Sequence, residues 1–304
     1  GFAFNSIGRF GQAGIINDRL AGRIVKAPDL LDQDGGLSPA LLSATAMQNE
    51  KPGGHGDRAG AVAAIELAAW DLKAKLNDEP AYATIASTFK RSTNKTSTSV
   101  YAAGGYYYPD DSLEHLKTEL KSYRDKGYAS FKIKIGGTSL DQDIQRIESA
   151  LEIAVHGKAL SVDANGRFPL KRALNYAREI KPLNLRWFEE PGDPLDFHLN
   201  QLLINEYQSP VATGENLFSC EDLRNLIRYG GMRPNIDVFQ MDPGLSYGLT
   251  EYAKMLTNLE SFGFSRRECI PHGGHLINLH IAIGLELGGC EAYPGVFQPF
   301  GGYS

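Results

Sequence analysis

From Ser99 onward the chain alternates between short apolar runs and longer stretches in which apolar side chains recur every three or four positions. The short runs fall at 99–103, 129–135, 159–164, 185–190, 210–215, 237–242, 267–271 and 289–292. Turn residues bound them, and they predict strands. Between them, Leu140 to Ala154, Lys171 to Ile180, Cys220 to Tyr229, Tyr247 to Phe262 and Leu276 to Leu287 carry the helical period. Strands that alternate with helices predict βαβ units and a parallel sheet. Eight runs favour a closed (β/α) barrel over a doubly wound sheet. The latter's Gly-x-Gly-x-x-Gly turn is missing after the first run, where Gly104-Gly105 leads into Tyr106-Tyr107-Tyr108.

The first 95 residues follow a different pattern. Residues 1–15 have no clear period and read as a loop, and short helical pieces lie between Pro28 and Gln48. Lys51 to Arg58 is rich in glycine and reads as a loop. Ala59 to Leu76 predicts a helix with Ala61, Ile65, Ala68, Ala69 and Leu72 on one face. The polar stretch Ser92 to Thr98 suits a linker. The expected organisation is a small domain over 1–95 and a barrel over 96–304.

Composition narrows the class. A hydrophobic fraction of 42% and a charged fraction of 22% are those of a globular protein. The net charge of -5 lacks the basic excess of a nucleic-acid binder. No polybasic run suits a membrane surface, and no apolar stretch approaches the length of a spanning helix. Neither nucleic acid nor membrane is therefore expected as a partner. Cys220, Cys269 and Cys290 are odd in number and scattered, so a reducing, cytoplasmic setting is expected. The chain starts at Gly1 without an initiating Met, and sequence is expected to precede it and to follow its end.

Charge is placed at the ends of the runs. Lys134, Asp163, Glu189, Glu215, Asp242 and His272 each close a predicted strand, at steps of 29, 26, 26, 27 and 30 by subtraction of their numbers. One βα unit of a barrel takes about 25 to 30 residues, and its strands all end at one face. Six distant residues would then meet in one pocket.

Lys132 and Lys134 share one face of their strand, and Phe131, Ile133 and Ile135 the other. The apolar face must meet helices, which turns both lysines inward. Asp163, Glu189 and Glu215 end successive strands, and three converging carboxylates need a cation between them. Oxygen ligands suit Mg²⁺. Asp163-Ala164-Asn165-Gly166 also opens like a calcium loop, but Leu174 stands where its closing Glu belongs. Asp242 and His272 form a carboxylate–imidazole pair for acid–base work, with His275 as a rival. Glu291 and Asn165 are candidate substrate contacts. Lys51, His55 and Arg58 would supply cationic contacts from a lid.

The chain as a whole resembles the enolase superfamily, in its mandelate racemase and muconate-lactonizing branch. Ile65 to Leu72 resembles the signature helix of that branch's capping domain. Lys132-Ile133-Lys134 is similar to its Lys-x-Lys strand, and Val162 to Asn165, Glu189-Glu190-Pro191 and Gly214-Glu215-Asn216 to its metal motifs. Further segments resemble the branch's tartrate dehydratases: Asn5 to Phe10, Glu50 to Gly56, Tyr101 to Pro109, Arg228 to Pro234 and Ile270 to His275. Two departures stand out. The opening strands and closing segment of the capping domain are missing, and Tyr82 to Ala86 replaces a Gly-rich ending.

The resemblance implies a modified TIM barrel with a smaller α+β cap, incomplete here. It implies Mg²⁺ on Asp163, Glu189 and Glu215, a homo-oligomer and a small dicarboxylate or acid-sugar substrate. The expected reaction is dehydration of a 2,3-dihydroxy acid, foremost D-tartrate to oxaloacetate. Lys134 would be the base, Lys132 a charge stabiliser, and His272, held by Asp242, the acid. A racemase or cycloisomerase on the same scaffold is the nearest alternative. A non-catalytic binding barrel is the alternative of another class, and a Schiff-base aldolase a weaker third.

Overall fold

The computed structural model describes residues 1–3, 11–108 and 113–294. The segment Asn5 to Phe10, Pro109 and the last ten residues, including Gly302 to Ser304, lie outside the described residues.

Among the described residues, seven parallel strands form one sheet in the order β6-β5-β4-β3-β2-β1-β7. They are β1 (Val100–Gly104), β2 (Phe131–Lys134), β3 (Leu160–Asp163), β4 (Phe188–Glu189), β5 (Val211–Thr213), β6 (Val238–Phe239) and β7 (Cys290–Ala292). The run expected at 267–271 is no regular strand. It contributes one parallel bridge, Phe239↔Cys269. Arg266–Glu268 is instead a 3₁₀ turn capped by Ser265 and Glu268, and Pro271 has no N–H to give a ladder. This segment still closes the ring. Ile270 N donates to Phe239 O (2.9 Å), His272 N to Gln240 O (3.3 Å), and Gly288 N to Cys269 O (3.0 Å).

The strand pleat sorts side chains as a barrel requires. Phe131, Ile133, Leu160, Val162, Phe188, Val211 and Phe239 enter the main apolar core, where each large side chain contributes about 1.5–3 kcal/mol. Tyr101, Ala103, Trp187, Ala212 and Ile270 form a separate cluster, inside the ring on the opposite faces of their strands.

The helices of the first part are α1 (Gln12–Ile15), α2 (Ala21–Val25), α3 (Pro39–Ala46), α4 (Asp57–Leu76) and α5 (Ala81–Thr88). Those of the barrel are α6 (Leu113–Asp125), α7 (Leu140–Ala154), α8 (Leu170–Ile180), α9 (Phe197–Tyr207), α10 (Cys220–Tyr229), α11 (Leu249–Ser261) and α12 (Leu276–Gly284). Ser139 and Gln142 form a capping box that starts α7 where the sequence places it.

Two expectations for the first part need correction. Residues 12–15 are helical rather than loop, and a π-helical turn (Ile16–Leu20) joins α1 to α2. Such short pieces depend on tertiary contact. Leu20 packs with Ala46, Ala59, Val62 and Tyr247, and Arg19 and Arg23 both bond to Glu50. On α4 the expected face is buried only in part: Ala61 and Ala69 are buried, but Leu72 is exposed. The buried surface is wider and runs also through Ala59, Val62, Ala63, Glu66, Leu67, Trp70 and Ala74. A polar Glu66 in the middle disguises that face. Among the described residues before β1, the only β pairing is the bridge Leu31↔Leu37.

Glu66 explains itself by its partners. It accepts from Leu249 N (2.8 Å), Thr250 N (2.9 Å), Thr250 Oγ1 (2.6 Å) and Trp70 Nε1 (2.8 Å). It therefore satisfies the orphan donors at the start of α11, which has no side-chain cap of its own. Gly248 precedes α11 at φ +90, and a Cβ there would collide with the Glu66 carboxylate. A second junction pairs α5 with α12. Tyr82 N donates to His280 Nδ1 (3.3 Å), and the two rings stack. Among the described residues no helix is long and apolar enough to cross a membrane.

Candidate active site

Register assembles the site. Lys134 pairs with Asp163 across β2 and β3, and Asp163 with Glu189 across β3 and β4. Glu215 follows β5 by two residues. Asp163, Glu189 and Glu215 each offer an oxygen, and these oxygens lie within 4.8 Å of one another. Both lysines turn inward. Lys132 Nζ contacts Glu189 Oε1, Glu291 Oε1 (2.7 Å) and Asp163 Oδ2 (3.4 Å), and Lys134 Nζ contacts Asp163 Oδ2.

These residues fit a hard divalent cation. All three donors are carboxylate oxygens, the set that Mg²⁺ takes. Glu215 Oε2 is buried and makes no hydrogen bond. Its ion pair with His272 Nε2 is long, 3.5 Å, so burial of this oxygen stays costly unless a cation meets it more closely.

The electrostatics follow from burial and neighbours. Burial opposes charge on Lys134, but Asp163, with Tyr106 and Glu189, raises the ammonium's pKa. Lys132 is raised likewise, burial being overcome by Glu189 and Glu291. Burial and then Asp163 push the Glu189 carboxyl up. Asp163 is drawn down against burial by Lys134 and Lys132.

Across the ring, His272 Nδ1 lies 3.1 Å from Asp242 Oδ2, and its Nε2 lies 3.5 Å from Glu215 Oε2. Asp242 is itself fixed by Gly244 N (2.7 Å) and Asn278 Nδ2 (3.2 Å). Burial works against the imidazolium, yet Glu215 and the Asp242 bond raise His272 to about 10. Burial lowers His275 instead. Lys134 on β2 and His272 after the seventh run thus flank the carboxylates from two sides.

Each carboxylate carries a polar collar, most of which the sequence did not reveal. Asn165 N donates to Asp163 Oδ1 (2.8 Å), and Asn165 Nδ2 lies 3.4 Å from Asp163 Oδ2. Its side chain therefore addresses a carboxylate first, where a substrate contact was expected. Trp187 Nε1 and Gln240 Nε2 both donate to Glu189 Oε2 at 2.8 Å. Asn216 Nδ2 reaches Glu215 Oε1 (3.4 Å) and the oxygens of Glu190 (3.0 and 3.3 Å). Trp187 and Gln240 each stand two residues before a run's last acid, so strand alternation was the available signal. Tyr106, beyond β1, places its ring centroid 5.6 Å from Lys134 Nζ.

The remaining expected contacts lie elsewhere or are occupied. Glu291 accepts from Gly273 N (2.7 Å) and Tyr293 Oη (3.0 Å) besides meeting Lys132, so it braces the loop after His272. Lys51 is exposed, and its carbonyl accepts from Arg58. Arg58 is buried and bonds to Glu50 and Tyr247 Oη, organising its own loop. His55 bonds to Tyr247 Oη (3.0 Å) and stacks on Phe218. His55 and Arg58 thus latch their loop onto the loops after β5 and β6.

A parallel barrel with a carboxylate triad at its strand ends defines a metal-assisted (β/α)-barrel enzyme class. The chain belongs to the enolase superfamily: the family described as "Enolase C-terminal domain-like" matches residues 115–296. It is similar to the arabinonate dehydratase of Saccharolobus solfataricus, 27% identical over 85% of this chain and 67% of that protein. It is also similar to the 3,6-anhydro-alpha-L-galactonate cycloisomerase of Streptomyces coelicolor, 28% identical over 83% of this chain and 68% of that protein. The chain thus spans about two thirds of these relatives' length. Among solved structures, the L-talarate dehydratase from Polaromonas sp. JS666, complexed with Mg and L-glucarate, superposes with a TM-score of 0.75. It is 25% identical, and the match covers 93% of this chain and 74% of that one.

Proposed function

We propose that the chain carries the catalytic barrel of a Mg²⁺-dependent acid-sugar dehydratase, with residues 1–95 as its cap. The observation that carries this reading is the carboxylate triad flanked by Lys134 on one side and the His272–Asp242 pair on the other. The arabinonate and L-talarate dehydratases among its relatives support the reaction class.

Asp163, Glu189 and Glu215 would hold the Mg²⁺. Bound there, Mg²⁺ supplies a Lewis acid for a substrate carboxylate and takes up the carboxylate charge that otherwise keeps Lys134 an ammonium. Lys134 Nζ, once neutral, takes the proton from the carbon alpha to that carboxylate. Lys132 stays charged beside Glu189 and sets a positive field at the base of the pocket. The electron pair left on the alpha carbon forms the new double bond as the hydroxyl on the next carbon departs. His272 gives that hydroxyl a proton, so water leaves. Asp242 keeps Nδ1 of His272 engaged and leaves Nε2 to face the substrate. The enol product then tautomerises to a 2-keto acid.

The substrate proposed is a 2,3-dihydroxy diacid, D-tartrate foremost, which would give oxaloacetate. The support is the resemblance of Asn5 to Phe10, Glu50 to Gly56, Tyr101 to Pro109, Arg228 to Pro234 and Ile270 to His275 to tartrate dehydratases. Incubating the chain with Mg²⁺ and a panel of acid sugars, and assaying keto acid, tests the reading. D-tartrate turning over fastest is the expected result. Turnover confined to longer acid sugars refutes the tartrate assignment, and no keto acid from any substrate refutes the dehydratase. The cycloisomerase relative and the two-sided Lys134/His272 arrangement favour one second reading, an isomerase; it predicts product without loss of water.

A further inference from the structure

Glu190 has no part in the chemistry above, yet it is among the most constrained residues of the site. It is 2% exposed, and it follows Glu189 directly. Its φ is +37, in the left-handed region that residues with side chains rarely adopt. The backbone is held there from two sides, by Glu190 N donating to Ala212 O (2.9 Å) and Gly166 N donating to Glu190 O (2.8 Å). Left-handed backbone of this kind tends to persist where a site uses it. Here the carboxylate reaches the loop that follows β5.

There the carboxylate meets one amide. Asn216 Nδ2 lies 3.0 and 3.3 Å from the two Glu190 oxygens. The same nitrogen lies 3.4 Å from Glu215 Oε1. The other oxygen of Glu215, Oε2, is buried without a hydrogen bond and lies 3.5 Å from His272 Nε2; one Glu215 oxygen lies within 4.8 Å of oxygens of Asp163 and Glu189. Of the three carboxylates, Asp163 is held by its own loop amide and Glu189 by two donors from its neighbours. For Glu215 the amide hold is one long contact, beside the 3.5 Å ion pair with His272, and it depends on where Asn216 is kept.

We propose that Glu190 is a positioning residue for the metal centre: its carboxylate anchors the Asn216 amide, and that amide sets the rotation of the Glu215 carboxylate so that it faces the ion. This rests on the reading of the triad as a Mg²⁺ site. Partners that orient a ligating carboxylate typically change metal affinity 10–100-fold when removed.

The test is Mg²⁺ binding by calorimetry on the folded chain, with Mn²⁺ spin resonance as a spectroscopic check, for wild type, Glu190→Ala, Asn216→Ala, the double variant and Glu190→Gln. Expected is a Kd raised about tenfold in each single variant, no further rise in the double variant, and a Kd within about threefold of wild type for Glu190→Gln, which still presents an acceptor to Asn216. A Glu190→Ala Kd equal to wild type overturns the proposal. So do single effects that multiply in the double variant, and a Glu190→Gln as weak as Glu190→Ala, since the latter would make charge rather than the contact responsible. Should Glu190→Ala fail to fold, Asn216→Ala and Glu190→Gln decide alone: the first must weaken binding and the second must not. Wild type that binds no Mg²⁺ would instead overturn the functional reading, and this inference with it.

Discussion

Nε2 of His272 stands 3.5 Å from Oε2 of Glu215, so the candidate acid and a candidate metal ligand meet at one edge of the site. In the proposed mechanism His272 and Lys134 serve separable steps. His272→Asn should lower keto-acid formation by about 10²–10⁴-fold, the usual contribution of a positioned acid. Exchange of the alpha proton with D₂O should survive, because Lys134 is untouched. NMR of recovered substrate would show it, and undiminished dehydration by the variant would remove His272 from its role.

Chelation gives a second prediction. Dialysis against EDTA should abolish turnover, and Mg²⁺ should restore it. Glu215→Gln, which weakens one ligand without opening a cavity, should raise the Mg²⁺ concentration needed for half-maximal rate. Full activity in chelator would mean that the triad is not a metal centre.

The fold makes its own prediction at Gly248. Any side chain there meets the Glu66 carboxylate at φ +90, where strain alone costs about 1–3 kcal/mol. Gly248→Ala should lower the melting temperature by several degrees. Equal melting temperatures would show that α4 does not cap α11 as described.

Glu66 also predicts a pH effect. Burial raises its pKa above the usual 4.5, although four donors act in the other direction. A carboxyl with a raised folded value binds more protons folded than unfolded. Its contribution is thus fully present below pH 4.5 and is lost as pH rises through the folded value. The stability difference between wild type and Glu66→Gln, from urea melts across pH 4 to 8, should move against wild type as pH rises. A flat difference would contradict the assignment.

The barrel was legible because its two periods are physically enforced. Alternation on β2 had to turn Lys132 and Lys134 inward once Phe131 and Ile133 met helices, and the even spacing of the six charged run ends follows from the length of one βα unit. What stayed hidden lacks a local signature. Glu66 looks like a surface residue of a helix until α11 is placed against it. The helical turns before α3 carry no caps and owe their form to Leu20 and Glu50. Lys51 and His55 have the chemistry of a lid, but His55 is engaged by Tyr247, 192 residues away. Gln240 reaches Glu189 only because their strands are brought together in the sheet, whereas Trp187 shares Glu189's own strand face.

Alpha-proton exchange in D₂O with Mg²⁺ present, compared between wild type and Lys134→Ala, tests the central assignment most directly. The account predicts exchange and dehydration in wild type, loss of both in Lys134→Ala, and a Mg²⁺ Kd in that variant within a few-fold of wild type. Exchange and turnover at near wild-type rates in Lys134→Ala would contradict it.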